Sequence, residues 1–259
     1  MVSLITSYNR LAGNFATSIK RVSEQPLIKR EAEYYQANIG KIKSVDDFMG
    51  NTRIYNFALK AFGLEDMQYA KAFIRKVLTE GVDNPEAFSL QLSDQRFREF
   101  ATAFNFNRYQ AATTSFDRVQ SGAVDMYLRN SLEAQSGEES EALRLALYFE
   151  RKANTITSAY SILADKALYQ VSRTALGLPD ALSSADIDRQ AVILADKVDI
   201  EQLQDKVYVK KMIARFLARY EAENSSAASS PSTTILAGAG AGIDMRMILS
   251  LQTLKKFGA

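Results

Sequence analysis

A chain of 259 residues with 47% hydrophobic and 24% charged side chains has the composition of a globular protein with a substantial core, and its formal net charge of +2 supplies no global field for gathering nucleic acid or anionic lipid. It contains no cysteine, histidine or tryptophan. That excludes a thiol nucleophile, a disulfide framework, zinc sites built on sulfur or imidazole, and a serine triad with histidine as base.

Apolar spacing is helical along the chain, punctuated by glycine and by only four prolines. Pro26 after Gln25 reads as a helix start with proline in the first turn. Ser44-Val45-Asp46-Asp47 is a variant capping box, and Phe48, Tyr55, Leu59 and Phe62 recur behind it at helical intervals. Tyr69, Phe73, Val77 and Leu78 form the next periodic set, and Asn84-Pro85 reads as another helix start. Leu143, Leu147, Ile156, Tyr160 and Leu163 continue the pattern downstream. Gly63, Gly81, Gly137 and Gly177 each follow an apolar stretch, where a left-handed cap is expected. No alternating strand pattern and no Asn-Gly or Asp-Gly hairpin occurs, so the predicted fold is all-α.

One pattern is present twice. Residues 30–66 and 144–180 align without a gap at a shift of 114, placing Tyr34 on Tyr148, Tyr35 on Phe149, Ser44 on Ser158, Tyr55 on Tyr169 and Gly63 on Gly177. The shift then becomes 116, and Phe100 and Phe104 meet Phe216 and Tyr220. A match of this length predicts duplicated architecture: related helical units at about 28–106 and 142–222, packed as one body within residues 1–222 and joined by a helical hairpin over 120–153.

After that body the composition changes. Residues 224–234 (NSSAASSPSTT) and the Ala-Gly run 237–242 read as a flexible linker, assigned to 223–242. Residues 243–259 regain helical periodicity, with Ile243, Met247, Leu251 and Leu254 along one side. A short amphipathic helix on a tether docks on its own domain or on a partner, and these four residues are the candidate partner-binding positions.

Features that suggest chemistry have plainer readings. Gly238, Gly240 and Gly242 lack the preceding strand and the Gly-Lys-Ser/Thr of a phosphate loop. Lys211, Arg215 and Arg219 stand four apart as the solvated face of a helix. The carboxylates Asp46-Asp47, Glu65-Asp66 and Glu138-Glu139-Glu141 sit where helix starts are predicted. The repeated tyrosines are expected in the core. No catalytic residue, cofactor, metal or nucleic acid is expected. Neither is membrane insertion, since no apolar run reaches roughly 18 residues. The start lacks a basic stretch and an uninterrupted apolar core, so no cleavable signal peptide is expected.

Read as strings, SVDDFMGNTRIYNFALKAFGLEDMQYAKAFIRKVLTEGV (44–82), LSDQRFREFATAFNF (92–106), LRLALYFERKA (143–153) and SILADKALYQVSRTALGLP (161–179) resemble a bacterial family classed as a domain of unknown function, over roughly residues 1–222. Genes of that family tend to lie in flagellar clusters of alphaproteobacteria, and it has no known catalytic motif. The resemblance implies a non-enzymatic structural or assembly component of the flagellum, partnered by other flagellar or export proteins, with self-association also open. A cytoplasmic regulator or export chaperone is the alternative. By analogy with flagellar proteins, residues 4–22 and 243–257 are expected to fold on assembly.

Overall fold

Helices dominate residues 3–228, the part of the chain that the computed structural model describes, and no strand occurs among them. Ser3 caps α1 (Leu4–Gly13) by accepting from the Thr6 amide, and α2 (Phe15–Ser23) follows after Asn14. α3 (Pro26–Ile39) begins at Pro26, where a missing amide leaves no hydrogen bond unmade. At α4 (Val45–Gly50) the Ser44 hydroxyl accepts from the Asp47 amide while the Asp47 carboxylate accepts from the Lys43 amide, a reciprocal cap. Next come α5 (Thr52–Ala61), α6 (Lys71–Glu80), α7 (Phe88–Gln91), α8 (Gln95–Ala103) and α9 (Phe106–Tyr109). α10 (Ser121–Glu139) and α11 (Glu141–Lys152) form a hairpin that turns at Ser140, which ends one helix and caps the other through the Ala142 amide. The last four are α12 (Ala159–Leu163), α13 (Lys166–Leu176), α14 (Ile187–Lys197) and α15 (Lys206–Ala228).

Residues 1–218 form one compact unit, and a second unit begins at Arg219. Within the first, α10 is central and packs against α2, α3, α5 and α11. The core around it includes Tyr35, Phe48, Tyr55, Phe100, Phe149 and Phe216, all buried. On α15, Met212, Ile213, Phe216 and Leu217 are buried while Lys211, Arg215 and Arg219 are exposed, as their spacing predicts.

Three pairs of positions matched at a shift of 114 make the same local arrangements. Ser158 caps α12 through the Ser161 amide as Ser44 caps α4. Gly63 and Gly177 follow α5 and α13 with φ of +70° and +65°. The amides of Leu64 and Leu178 then reach back five residues, to the carbonyls of Leu59 at 2.8 Å and Arg173 at 3.0 Å. The hydroxyls of Tyr55 and Tyr169 are both buried without a hydrogen-bond partner.

Several expectations are corrected. Residues 4–22 are not left free: Tyr8 and Val22 are 2% exposed, and α1 packs on α11 and α2 on α10. The amphipathic period there supplies an apolar face that α10 and α11 cover. Pro85 opens no helix, because the Asn84 side chain accepts from the Glu86 amide in an Asx turn and α7 starts only at Phe88. Gly137 is no cap. It lies inside α10, where an added Cβ would stand 3.1 Å from Arg144 Cδ, so its smallness lets α11 approach. Glu138 and Glu139 fall in the last turn of α10 rather than at a helix start, and Glu139 accepts from the Ser7 hydroxyl at 3.1 Å. Residues 223–228, expected in the linker assigned to 223–242, belong to α15, which runs to Ala228; alanine and serine extend an existing helix at little cost. Residues 229–259, with Ile243, Met247, Leu251 and Leu254, lie outside the described part of the chain.

Candidate functional site

Charged side chains meet in a cleft of about 390 Å3 bordered by the end of α5 and by α8, α10, α11 and the start of α13. α11 supplies one wall. Arg151 and Lys152 stand three and four residues after Tyr148, which stands four after Arg144, so the four share a face opposite the positions of the buried Leu143, Ala146 and Phe149. Each of the four has a partner in the chain. Arg151 forms a two-pronged pair with Glu133 of α10, at 2.7 and 2.9 Å, and also donates to Asn130 Oδ1 at 3.2 Å. Lys152 is bound to Glu99 of α8. Arg144 pairs with Glu141. The Tyr148 hydroxyl donates to Asp165 at 2.5 Å, and Asp165 caps α13 through the amides of Ala167 and Leu168.

The opposite wall is tied down in the same manner. Asp94 caps α8 and grips the Arg96 guanidinium, which also donates to the Gly63 carbonyl. Asn130 Nδ2 donates to the carbonyls of Lys60 and Ala61 at 2.9 and 2.7 Å, satisfying the C-terminal end of α5. Thus α5 and α8 are linked through α10 to α11 and α13.

The electrostatics follow the pairing. Burial alone would raise the Asp94 carboxyl, but the hydrogen bonds from Arg96 outweigh it and hold the group below the usual carboxylate range. Burial likewise opposes charge on Arg151, and the Glu133 carboxylate raises its pKa despite that. Burial first, then the facing Asp165 carboxylate, push the Tyr148 hydroxyl well up, so it does not serve as a base near neutrality. The carboxylates that shift clearly, Glu31, Asp47, Asp83 and Asp94, all move down, which keeps them charged rather than poised to donate a proton. Among the described residues no group of carboxylates is arranged to hold a metal ion. The cleft's geometry is that of an internal ionic lock.

Sequence reasoning did not find this cluster. Its one local signal is the repeated three-to-four spacing of Arg144, Tyr148 and Arg151. Glu99, Glu133 and Asp165 come from three other segments and carry no mark of the meeting. The carboxylate clusters have structural roles: Asp46 binds Arg75, the Asp47 carboxylate accepts from the Lys43 amide ahead of α4, and Glu65-Asp66 open a single 3-10 turn, with Glu65 at the border of the cleft. The structure does not bring them together.

Residues 61–209 match the family described as "Protein of unknown function (DUF1217)", and the chain belongs to that family. It is also similar to a solved protein, AGR_C_984 from Agrobacterium tumefaciens. The crystal structure of that protein superposes with a TM-score of 0.80 at 48% identity, over 85% of this chain and 93% of that one. Comparison with the curated proteins finds no match. No described helix is long and apolar enough to cross a membrane.

Proposed function

We propose that the protein is a non-enzymatic structural or assembly component associated with the bacterial flagellum, working through helix-mediated protein contacts. The observation that carries the non-enzymatic half is the ion pairing of the central cleft, where Arg96, Arg151 and Lys152 are each neutralised by a carboxylate of the same chain. The complete lack of histidine and cysteine supports it as well. The flagellar half rests on the resemblance of residues 1–222 to a family whose genes accompany flagellar ones. Its partners are other flagellar or export proteins, and the tail positions Ile243, Met247, Leu251 and Leu254 are the proposed contact.

The test is an immunoblot of cytoplasm, culture medium and purified hook–basal bodies, in wild-type cells and in a strain defective in type III export. Enrichment with the basal body or medium, lost in the export mutant, is the expected result. Retention in the cytoplasm of both strains favours the alternative, a regulator or export chaperone. Deleting residues 243–259 is expected to abolish co-purification of the partner while circular dichroism and the unfolding midpoint stay unchanged.

A further inference from the structure

The solvent face of α14 has an apolar centre between two carboxylates. Asp188, Val192 and Asp196 follow at four-residue intervals, so each carboxylate stands one turn, about 6 Å of helix rise, from Val192. Val192 is 69% exposed. Neither Asp188 nor Asp196 forms an ion pair with a described residue, although Arg189 and Lys197 share the helix. Asp188 accepts from the Tyr160 hydroxyl at 2.8 Å, which fixes its carboxylate at the surface. Asp186, Asp199 and Glu201 make the surrounding chain acidic.

A groove of about 580 Å3 between α8 and α10 has the opposite character. Phe62, Ala103, Gly122 and Met126 form its apolar floor, and Arg98 and Arg118 stand at its rim. Both arginines are exposed, and neither pairs with a carboxylate of a described residue. Arg118 lies 4.2 Å from the centre of the Phe116 ring and 5.0 Å from that of Tyr109, with Nε donating to the Ala103 carbonyl. Its guanidinium is thereby held in place with further donors to offer. Glu99 also borders the groove but is neutralised by Lys152. Asp94, Asp117 and Asp125, the nearest other carboxylates in sequence, do not line it.

We propose that these surfaces are the two halves of one contact between copies of this chain. The α14 face of one molecule seats in the α8–α10 groove of the next, with Val192 on the apolar floor and Asp188 and Asp196 against Arg98 and Arg118. Charge complementarity selects the occupant: the chain itself carries an apolar centre flanked by two unpaired carboxylates and a groove flanked by two unpaired arginines. The two surfaces are different, so the contact is head-to-tail, and every added copy presents a free groove and a free face for another. Exposed ion pairs contribute little each and are screened by salt, which makes the association weak and salt-sensitive. It does not depend on the flagellar reading.

Sedimentation velocity of the full chain over a concentration series decides the matter. Wild type is expected to grow in average size with concentration at low salt and to return to the monomer at high salt. R98E/R118E and D188R/D196R each weaken association at least tenfold, with helicity unchanged because all four side chains are at the surface. Combining the four substitutions in one chain restores association, as does mixing the two double variants. A monomer at every concentration in low salt overturns the proposal. So does association that both double variants retain, which places the contact elsewhere, or a folded fourfold variant that fails to associate.

Discussion

The helices α3–α9 and α11–α15 use the same local devices and different packing. Ser44 and Ser158 cap equivalent helices, and Gly63 and Gly177 end equivalent helices in the left-handed region. Beyond these the regions diverge. α6 is clamped by α4, α7, α8 and α9, whereas α14, at the matched position, packs chiefly on α12 and keeps Ile187 and Val192 exposed. Tyr55 is fully buried, while Tyr169 borders an open cleft of about 520 Å3 beside Ile187. A cap needs only two or three neighbours in sequence, so it survives wherever its residues do. Burial of a helix face needs a partner element, and α15, which carries the positions matched to α8, is not a chief neighbour of α14. The closed region therefore provides the rigid body, and the open one provides surface.

The largest effects should come from the aromatic core of the first region. Phe48 is 0% exposed and its ring lies near those of Tyr55, Phe100, Phe104 and Phe106. Phe48→Ala is expected to lower unfolding free energy by about 3–5 kcal/mol, and Ile162→Ala at the matched position, equally buried, by about 2–4 kcal/mol. Urea denaturation of both variants checks the ranking. A larger loss at Ile162 would show that the second region, not the first, is the better packed.

The ionic lock that joins the regions comes next. Arg151→Ala leaves Glu133, only 9% exposed, without its guanidinium, at an expected cost of about 3 kcal/mol. Replacing both partners with apolar residues of similar size, Arg151→Met with Glu133→Leu, should cost less than the single change, because no buried charge is stranded. If the double variant is the less stable, the pair contributes more than its own desolvation. The same comparison would separate a stabilising link from one that serves only to fix how α10 and α11 meet.

A smaller effect isolates a backbone feature that only the first region has. Gly81 ends α6 at φ +64° and ψ −139°, a combination strained for any L-residue. An added Cβ there would also lie 2.7 Å from Asn105 Oδ1. Asn105 is buried, donates to Asp83 and caps α9, so it has little room to yield. Gly81→Ala is expected to cost about 2–3 kcal/mol, against less than about 0.5 kcal/mol for the surface change Lys197→Ala at the matched end of α14. Equal midpoints in thermal unfolding would refute the difference.

What the sequence made legible follows the same division. Helical periodicity, the caps at Ser44 and Ser158, the turns at Gly63 and Gly177 and the buried face of α15 could all be read locally, because each depends on residues within about one turn of each other. The lock between Arg151, Glu133, Lys152 and Glu99 could not, since its members are 18 to 53 residues apart. Gly137 was misread for a related reason: a glycine after an apolar run signals a cap, but the close approach of Arg144 that it permits is a tertiary fact. The docked helices α1 and α2 were likewise hidden, because an amphipathic face does not state what covers it. The tail positions Ile243, Met247, Leu251 and Leu254 fall outside the described residues.

The smallest expected effect gives the cleanest measure of equivalence. Ser44 and Ser158 both accept from the amide three residues on, at 3.0 and 3.2 Å, and each helix that they start is short. Their removal should therefore cost nearly the same, about 1 kcal/mol for Ser→Ala. At α4, however, the Asp47 carboxylate completes the reciprocal bond to the Lys43 amide, whereas the matched Ser161 has no carboxylate to return. Ser44→Ala leaves that second bond in place, so its loss should be slightly smaller than that of Ser158→Ala, and Asp47→Ala should remove the margin. Amide hydrogen exchange at the first turns of α4 and α12 resolves effects of this size. Equal protection losses in both helices would mean that the packing of Phe48 and Ile162, rather than the caps, holds each helix start.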